Sequence, residues 1–123
     1  MFANTKAFSG FAVDDVPRAK AFYQDVLGLP VTEEHGMLHL RLATGGEILV
    51  YPKPGHVPAS YTILNFPVTD IEAAVDELTT RGVVFRRYPG FVQDDRGIFR
   101  DEGPYIAWFT DPAGNVLSVL QER

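Results

Sequence analysis

The chain has 123 residues and no cysteine, and its mixture of 46% hydrophobic and 22% charged residues is typical of one globular domain without disulfides, thiolate metal sites or a cysteine nucleophile. The net charge of −5 disfavours nucleic acid and anionic membranes as partners, because both attract a surplus of basic residues. No apolar run approaches the ~20 residues of a membrane span and the first nine residues lack a signal-peptide pattern, so we expect a cytoplasmic protein.

An internal repeat organises the chain. Three residues of the first half recur in the second at a constant offset: Phe11, Val13 and Asp15 return as Phe66, Val68 and Asp70. Halves of this size are too short to be stable alone. We therefore predict a single domain, residues 1–123, in which module one (about 6–53) and module two (about 60–121) share one core.

Each module is predicted to begin with a strand followed by a helix. In module one, residues alternate between two faces over 8–13, as in a strand. Asp14 or Asp15 then caps the helix, Pro17 fits its first turn and Gly28 ends it. Two further strands are predicted, over residues 37–42 and 47–51.

Module two repeats this order. A strand over residues 63–68 leads to a helix that Asp70 caps and Gly82 ends. Short apolar segments then predict four strands, over residues 83–87, 97–100, 105–110 and 116–120.

Three segments together resemble the vicinal oxygen chelate superfamily, also known as the glyoxalase, bleomycin-resistance and extradiol-dioxygenase fold. They are the helix end at 22–29 (FYQDVLGL), the repeated strand–helix junction at 70–82, and the turn at 108–117 (WFTDPAGNVL). The resemblance covers nearly the whole chain. It implies an α+β fold in which two βαβββ modules form a curled eight-stranded cup with the helices outside.

Chelating members of this superfamily hold a divalent metal through His, Glu or Gln on the first and last strands of each module. At the matching positions this sequence has Phe8, Leu49, Ile63 and Ser118. These side chains do not suit a metal that needs several oxygen or imidazole donors, so we predict no metal and no cofactor. A register error of two would bring in Glu47 with Tyr61 or Asn65, which is still a poor ligand set.

Without a metal, the cup suits a small organic ligand. By alternation, the residues expected to face the cup are Phe8, His39, Arg41, Leu49, Tyr51, Ile63, Asn65, Trp108 and Ser118. Tyr51 and Trp108 would stack on a planar ligand, although aromatic side chains on strands also serve simply as core or as a dimer seam.

The loop over residues 94–104 is charged and rich in turn residues. As a lid, it would use Arg96 or Arg100 to hold a ligand carboxylate. The alternative is a solvated hairpin whose arginines pair with its own aspartates.

These observations predict a metal-free protein that binds a small aromatic or drug-like molecule, of the glyoxalase/bleomycin-resistance type, with no catalytic residue assigned. The alternative is a metal-dependent glyoxalase-like lyase or dioxygenase that uses Glu47 and His39, so whether the protein is an enzyme stays open. A third possibility is an interaction subunit. Relatives commonly pair, so we expect a homodimer in which the strand at 6–13 meets a partner.

Overall fold

The computed structural model describes every residue from Met1 to Arg123. The chain forms two compact units, Met1–His56 and Val57–Arg123, called the first and second modules below. Each module has one mixed β-sheet with a helix packed against it, which confirms the predicted α+β class. Neither helix has the length and apolar character that crossing a membrane requires.

The first helix, α1 (Val16–Ala21), begins at one of the two predicted caps. The Asp15 carboxylate accepts a hydrogen bond from the backbone N–H of Arg18 at 3.0 Å, satisfying one of the free amides of the first turn. Pro17 sits in that turn, where its missing N–H costs nothing.

The chain then continues as a single π-helical turn, Phe22–Val26, instead of the predicted α-helix. The backbone N–H of Leu27 donates to the carbonyl of Phe22 at 3.0 Å, which is the wider spacing that defines this turn. Tyr23 is fully buried there, with its ring centroid 5.8 Å from that of Phe11. The turn thereby anchors the helix end to the sheet.

The first sheet has the strand order β1-β4-β3-β2. Its strands are β1 (Ser9–Val13), β2 (Val31–Glu34), β3 (Met37–Arg41) and β4 (Glu47–Pro52). β1 runs parallel to β4 and the other pairs are antiparallel. Alternate residues of β3 and β4 are buried on the side of α1: Leu38, Leu40, Ile48 and Val50. The remaining side chains of these strands lie on the opposite face.

The second helix, α2 (Ile71–Thr80), begins at the predicted cap, since the Asp70 carboxylate accepts from the backbone N–H of Ala73 at 3.1 Å. Ile71 and Val75 are its buried residues. Gly82 follows the helix with a φ of 94°, a left-handed conformation that glycine adopts without strain.

The second sheet has the order β5-β7-β6, with β5 (Thr62–Pro67) parallel to β7 (Val116–Gln121) and β6 (Tyr105–Thr110) antiparallel to it. A bulge interrupts the pairing of β5, because Thr62 lies opposite Val116 while Leu64 lies opposite Leu117. Ile63 is the extra residue of that bulge. Thr62 therefore shares a face with Val116.

Two of the eight predicted strands are wrong and one strand, β2, was not predicted, so the structure has seven strands. Residues 83–87 and 97–100 each contribute only one isolated bridge to β6, Arg86 with Trp108 and Phe99 with Ile106. Side chains form hydrogen bonds with the backbone groups that would otherwise pair between two strands. The Gln93 amide, for instance, donates to the carbonyl of Arg86 at 2.9 Å and to that of Gly97 at 2.7 Å.

Candidate functional site

The face of the first sheet that is turned away from α1 carries most of the predicted first-module site residues. His39 lies opposite Leu49, Arg41 opposite Glu47, and the β1 residues Gly10 and Ala12 opposite Leu49 and Tyr51. Phe8 comes just before β1 and is 68% exposed. The structure thus places His39, Arg41, Leu49 and Tyr51 on one face, the one turned away from α1.

Glu47 is the centre of the polar contacts on this face. Its carboxylate lies 3.5 Å from His39 Nδ1 and 3.7 Å from an Arg41 guanidinium nitrogen. All three side chains are partly exposed. Nowhere in the chain do three or more His, Asp or Glu side chains converge as a metal site would require. The Glu47 carboxylate is thus shared between an imidazole and a guanidinium.

In the second module, three predicted residues share one row across the sheet. Asn65 lies opposite Ser118 on β7, and Ser118 lies opposite Trp108 on β6. Ser118 is fully buried and its hydroxyl donates to Asn65 Oδ1 at 2.6 Å. Ile63 is half-buried at the bulge. The Ser118 hydroxyl is therefore committed to its neighbour in the sheet.

A cavity of about 200 Å³ opens on this same face of the second sheet. Its lining residues are Ser60, Tyr61, Thr62, Tyr88, Phe91, Trp108 and Val116. Of the predicted site residues only Trp108 lines it. Four of the seven lining residues are aromatic, and the hydroxyls of Ser60, Tyr61 and Thr62 supply polar groups at one side. We call this space the aromatic cavity.

The rings around Trp108 have well-defined geometry. Phe91 lies nearly parallel to Trp108, with ring centroids 5.4 Å apart and an interplanar angle of 17°. Tyr88 meets Trp108 edge-on at 5.6 Å and 83°. Phe99 adds a tilted contact at 6.2 Å. Stacked and edge-on pairs are both favourable arrangements of aromatic quadrupoles, so the cluster holds the indole in place.

A tight turn brings Tyr88 and Phe91 to the cavity. The backbone N–H of Phe91 donates to the carbonyl of Tyr88 at 3.2 Å, with Pro89 and Gly90 between them. Gly90 has a φ of 90°, as the third position of such a turn requires. Gln93 fixes the start of the turn, since its side-chain oxygen accepts from the N–H of Tyr88 at 2.9 Å.

Both arginines of the predicted lid are paired with carboxylates. Arg96 makes a two-pronged contact with Asp76 on α2, at 2.8 and 3.1 Å. Arg100 lies 3.1 Å from Asp94 within the loop and 3.5 Å from Glu72 on α2. Binding a ligand carboxylate would require these pairs to open, so the lid stays a prediction.

The same contacts shift two carboxyl groups. The hydrogen bond from Arg96 lowers the pKa of Asp76 below its ordinary value. Burial acts to raise the pKa of Asp94, but hydrogen bonds from the N–H of Ile98, the Arg100 side chain and the N–H of Arg96 outweigh it and lower this pKa. Both carboxylates are therefore charged at neutral pH and fasten the loop to itself and to α2.

The family model of the Glyoxalase/Bleomycin resistance protein/Dioxygenase superfamily matches residues 7–119, and the chain belongs to this superfamily. A comparison with curated proteins finds no match. The family match over residues 7–119 confirms the resemblance inferred from the sequence.

Three solved structures illustrate the shared fold. A protein from Bacillus anthracis assigned to the glyoxalase family has a TM-score of 0.71 and 19% identity over 100% of both chains. TnmS3, an antibiotic binding protein from Streptomyces, has 0.67 and 21% over 98% of both chains. The fosfomycin resistance protein FosX from Listeria monocytogenes has 0.70 and 12%, covering 95% of this chain and 92% of its own.

Sequence reasoning missed most of the cavity wall. Tyr88 and Phe91 lie in a segment whose pattern predicts a strand followed by a loop, and Thr62 reaches the cavity only because of the bulge. One signal was available: Tyr88-Pro89-Gly90-Phe91 has the Pro-Gly centre of a tight turn flanked by two aromatic residues. Such a turn brings its outer residues together.

Proposed function

We propose that this protein binds a small planar organic molecule, aromatic or drug-like, in the aromatic cavity of the second module, and that it does so without a metal ion. The observation that carries the proposal is the wall formed by Trp108, Tyr88, Phe91 and Tyr61 around a space of about 200 Å³. This volume is below the ~300–1,000 Å³ of pockets for drug-sized ligands, so it limits the ligand to about one or two fused rings.

The chemistry of the wall supports a planar ligand. A flat ring placed against Trp108 gains dispersion and removes apolar surface from water on both partners. Phe91 is 48% exposed, so its ring has room to adjust to a ligand at the mouth. The hydroxyls of Ser60 and Thr62 are available to orient polar substituents.

The chemistry of the matching metal positions supports binding without a metal. Phe8, Leu49 and Ile63 have no donor atom in their side chains, and the fourth residue, Ser118, uses its hydroxyl to donate to Asn65. These residues do not fit a divalent metal.

The alternative is a metal-dependent lyase or dioxygenase, and one observation favours it. His39 and Glu47 lie side by side on the first sheet, 3.5 Å apart, and both are good metal ligands. The Arg41 guanidinium lies 3.7 Å from the same carboxylate, however, and its positive charge opposes the approach of a dication. We therefore place this function second.

The names of two structural neighbours agree with the first proposal at a general level. One is an antibiotic binding protein and the other confers fosfomycin resistance. The first of these names describes a protein of this fold that binds an antibiotic.

Trp108 is the only tryptophan of the chain, so its indole N–H gives one isolated nuclear magnetic resonance signal. Titration with 1-naphthamide, a neutral planar probe, is expected to shift that signal in a saturable manner, because ring currents of the bound probe act on the adjacent indole. Acetamide serves as the matched control, since it has the same amide without the rings. An indole signal that stays in place at saturating naphthamide would contradict the proposal.

A further inference from the structure

We infer that the natural ligand of the aromatic cavity carries an anionic group, such as a carboxylate, and that Arg86 binds this group with the help of Thr110. The inference rests on the proposed function, since it concerns the same cavity, and it narrows the ligand class to aromatic acids. Neither residue is among those that the sequence singled out.

Arg86 pairs with Trp108, which lines the cavity. Its backbone N–H donates to the carbonyl of Trp108 at 2.8 Å, in a bridge that sets the two residues directly opposite each other. Residues paired in this way project their side chains from the same face. The Arg86 side chain therefore leaves the sheet on the side of the aromatic cavity.

The charged end of Arg86 contacts Thr110 on β6. A terminal nitrogen of the Arg86 guanidinium donates to the Thr110 hydroxyl at 3.0 Å. Thr110 lies opposite Val116, which lines the cavity, and two residues from Trp108, which also lines it. The guanidinium is thus held over the sheet beside two of the cavity walls.

No Asp or Glu side chain lies within 4.0 Å of the Arg86 guanidinium, whereas Arg81, Arg96 and Arg100 are each paired with a carboxylate. The side chain that accepts a hydrogen bond from the Arg86 guanidinium, that of Thr110, is a neutral hydroxyl. The Arg86 guanidinium therefore keeps most of its N–H donors available beside an aromatic surface, although the chain as a whole has a net charge of −5.

A planar acid matches this arrangement. The rings would occupy the aromatic cavity while the carboxylate accepts two parallel hydrogen bonds from the guanidinium fork. The Thr110 hydroxyl accepts from Arg86 and keeps its own proton, so it is able to donate to the same anion. A cationic ligand would be repelled at this position.

The test compares 1-naphthoate with 1-naphthamide, which share their rings and differ in charge, by the shift of the Trp108 indole signal. In the unmodified protein we expect naphthoate to bind roughly five- to tenfold more tightly, as befits a charge-assisted bond at an exposed guanidinium. Arg86→Met is expected to abolish this preference and to leave naphthamide affinity within about twofold. Arg86→Lys, which keeps the charge without the fork, should retain part of it.

Arg18→Met is the matched control, because Arg18 is an exposed arginine of the first module and the substitution changes the net charge equally. It should keep the preference for naphthoate. Backbone spectra of the Arg86 variants establish that they are folded. The inference about Arg86 would be overturned by equal affinities for the two probes in the unmodified protein, or by an undiminished preference for naphthoate in folded Arg86→Met. In either case, binding of naphthamide would still support the proposed function. If neither probe moves the Trp108 signal, both proposals fail together.

Discussion

Trp108→Leu is expected to weaken the binding of 1-naphthamide by roughly thirtyfold, about 2 kcal/mol, because the ligand loses both the apolar area of the indole and the stacking contribution. Leucine keeps an apolar side chain of moderate size in a strand, so the sheet should survive the change. The affinity is best measured by isothermal titration calorimetry, since the variant lacks the indole signal.

Tyr105→Leu provides the matched control for this substitution. Tyr105 lies in the same strand, β6, but alternation places it on the opposite face from Trp108, beneath the guanidinium groups of Arg100 and Arg123. Its loss should leave naphthamide affinity unchanged. Equal weakening in the two variants would mean that strand β6 affects binding only through stability, and unaltered affinity in Trp108→Leu would place the ligand elsewhere.

Asp111→Asn is expected to lower the free energy of unfolding by about 2–3 kcal/mol, since it leaves a buried donor unsatisfied. Asp111 is 3% exposed. One of its oxygens accepts from the N–H groups of Ala113 and Asn115, both at 2.9 Å, and the other accepts from the Asn115 side-chain amide at 3.0 Å. The substitution sets one amide nitrogen against another at a buried position.

Urea denaturation at neutral pH checks this expectation, with Asp101→Asn as the control. Asp101 is exposed, so removing its charge should change the free energy of unfolding by less than about 0.5 kcal/mol. The effect matters for the site because the Asp111 turn joins β6 to β7 and so sets Trp108 beside Ser118. A comparable, small effect in both variants would show that the buried contacts around Asp111 contribute little.

Local patterns gave the most reliable predictions. Asp15 and Asp70 cap their helices because a short carboxylate reaches the free amides of the next turn whatever the rest of the chain does. Alternation likewise predicted the face of Trp108, since a strand offers a side chain only two directions. β2 was not predicted, because Val31–Glu34 has only one apolar residue among four.

Contacts between distant segments escaped prediction. Whether residues 83–100 form strands depends on Gln93 and Asp94, whose side chains take the place of backbone partners. The cavity wall depends on Tyr88 and Phe91 folding back onto Trp108. The binding roles assigned to first-module residues such as Tyr51, the homodimer through β1 and the cytoplasmic location stay predictions.

The central claim is that the aromatic cavity binds its ligand without a metal. The most direct measurement is the naphthamide titration of the Trp108 indole signal in protein stripped with a chelator, repeated after zinc or manganese is added. The account predicts the same dissociation constant in both samples, because the cavity wall has no His, Asp or Glu side chain to hold a metal. Binding that appears only after the metal is restored, and that Glu47→Gln abolishes, would contradict it and favour the metal-dependent enzyme.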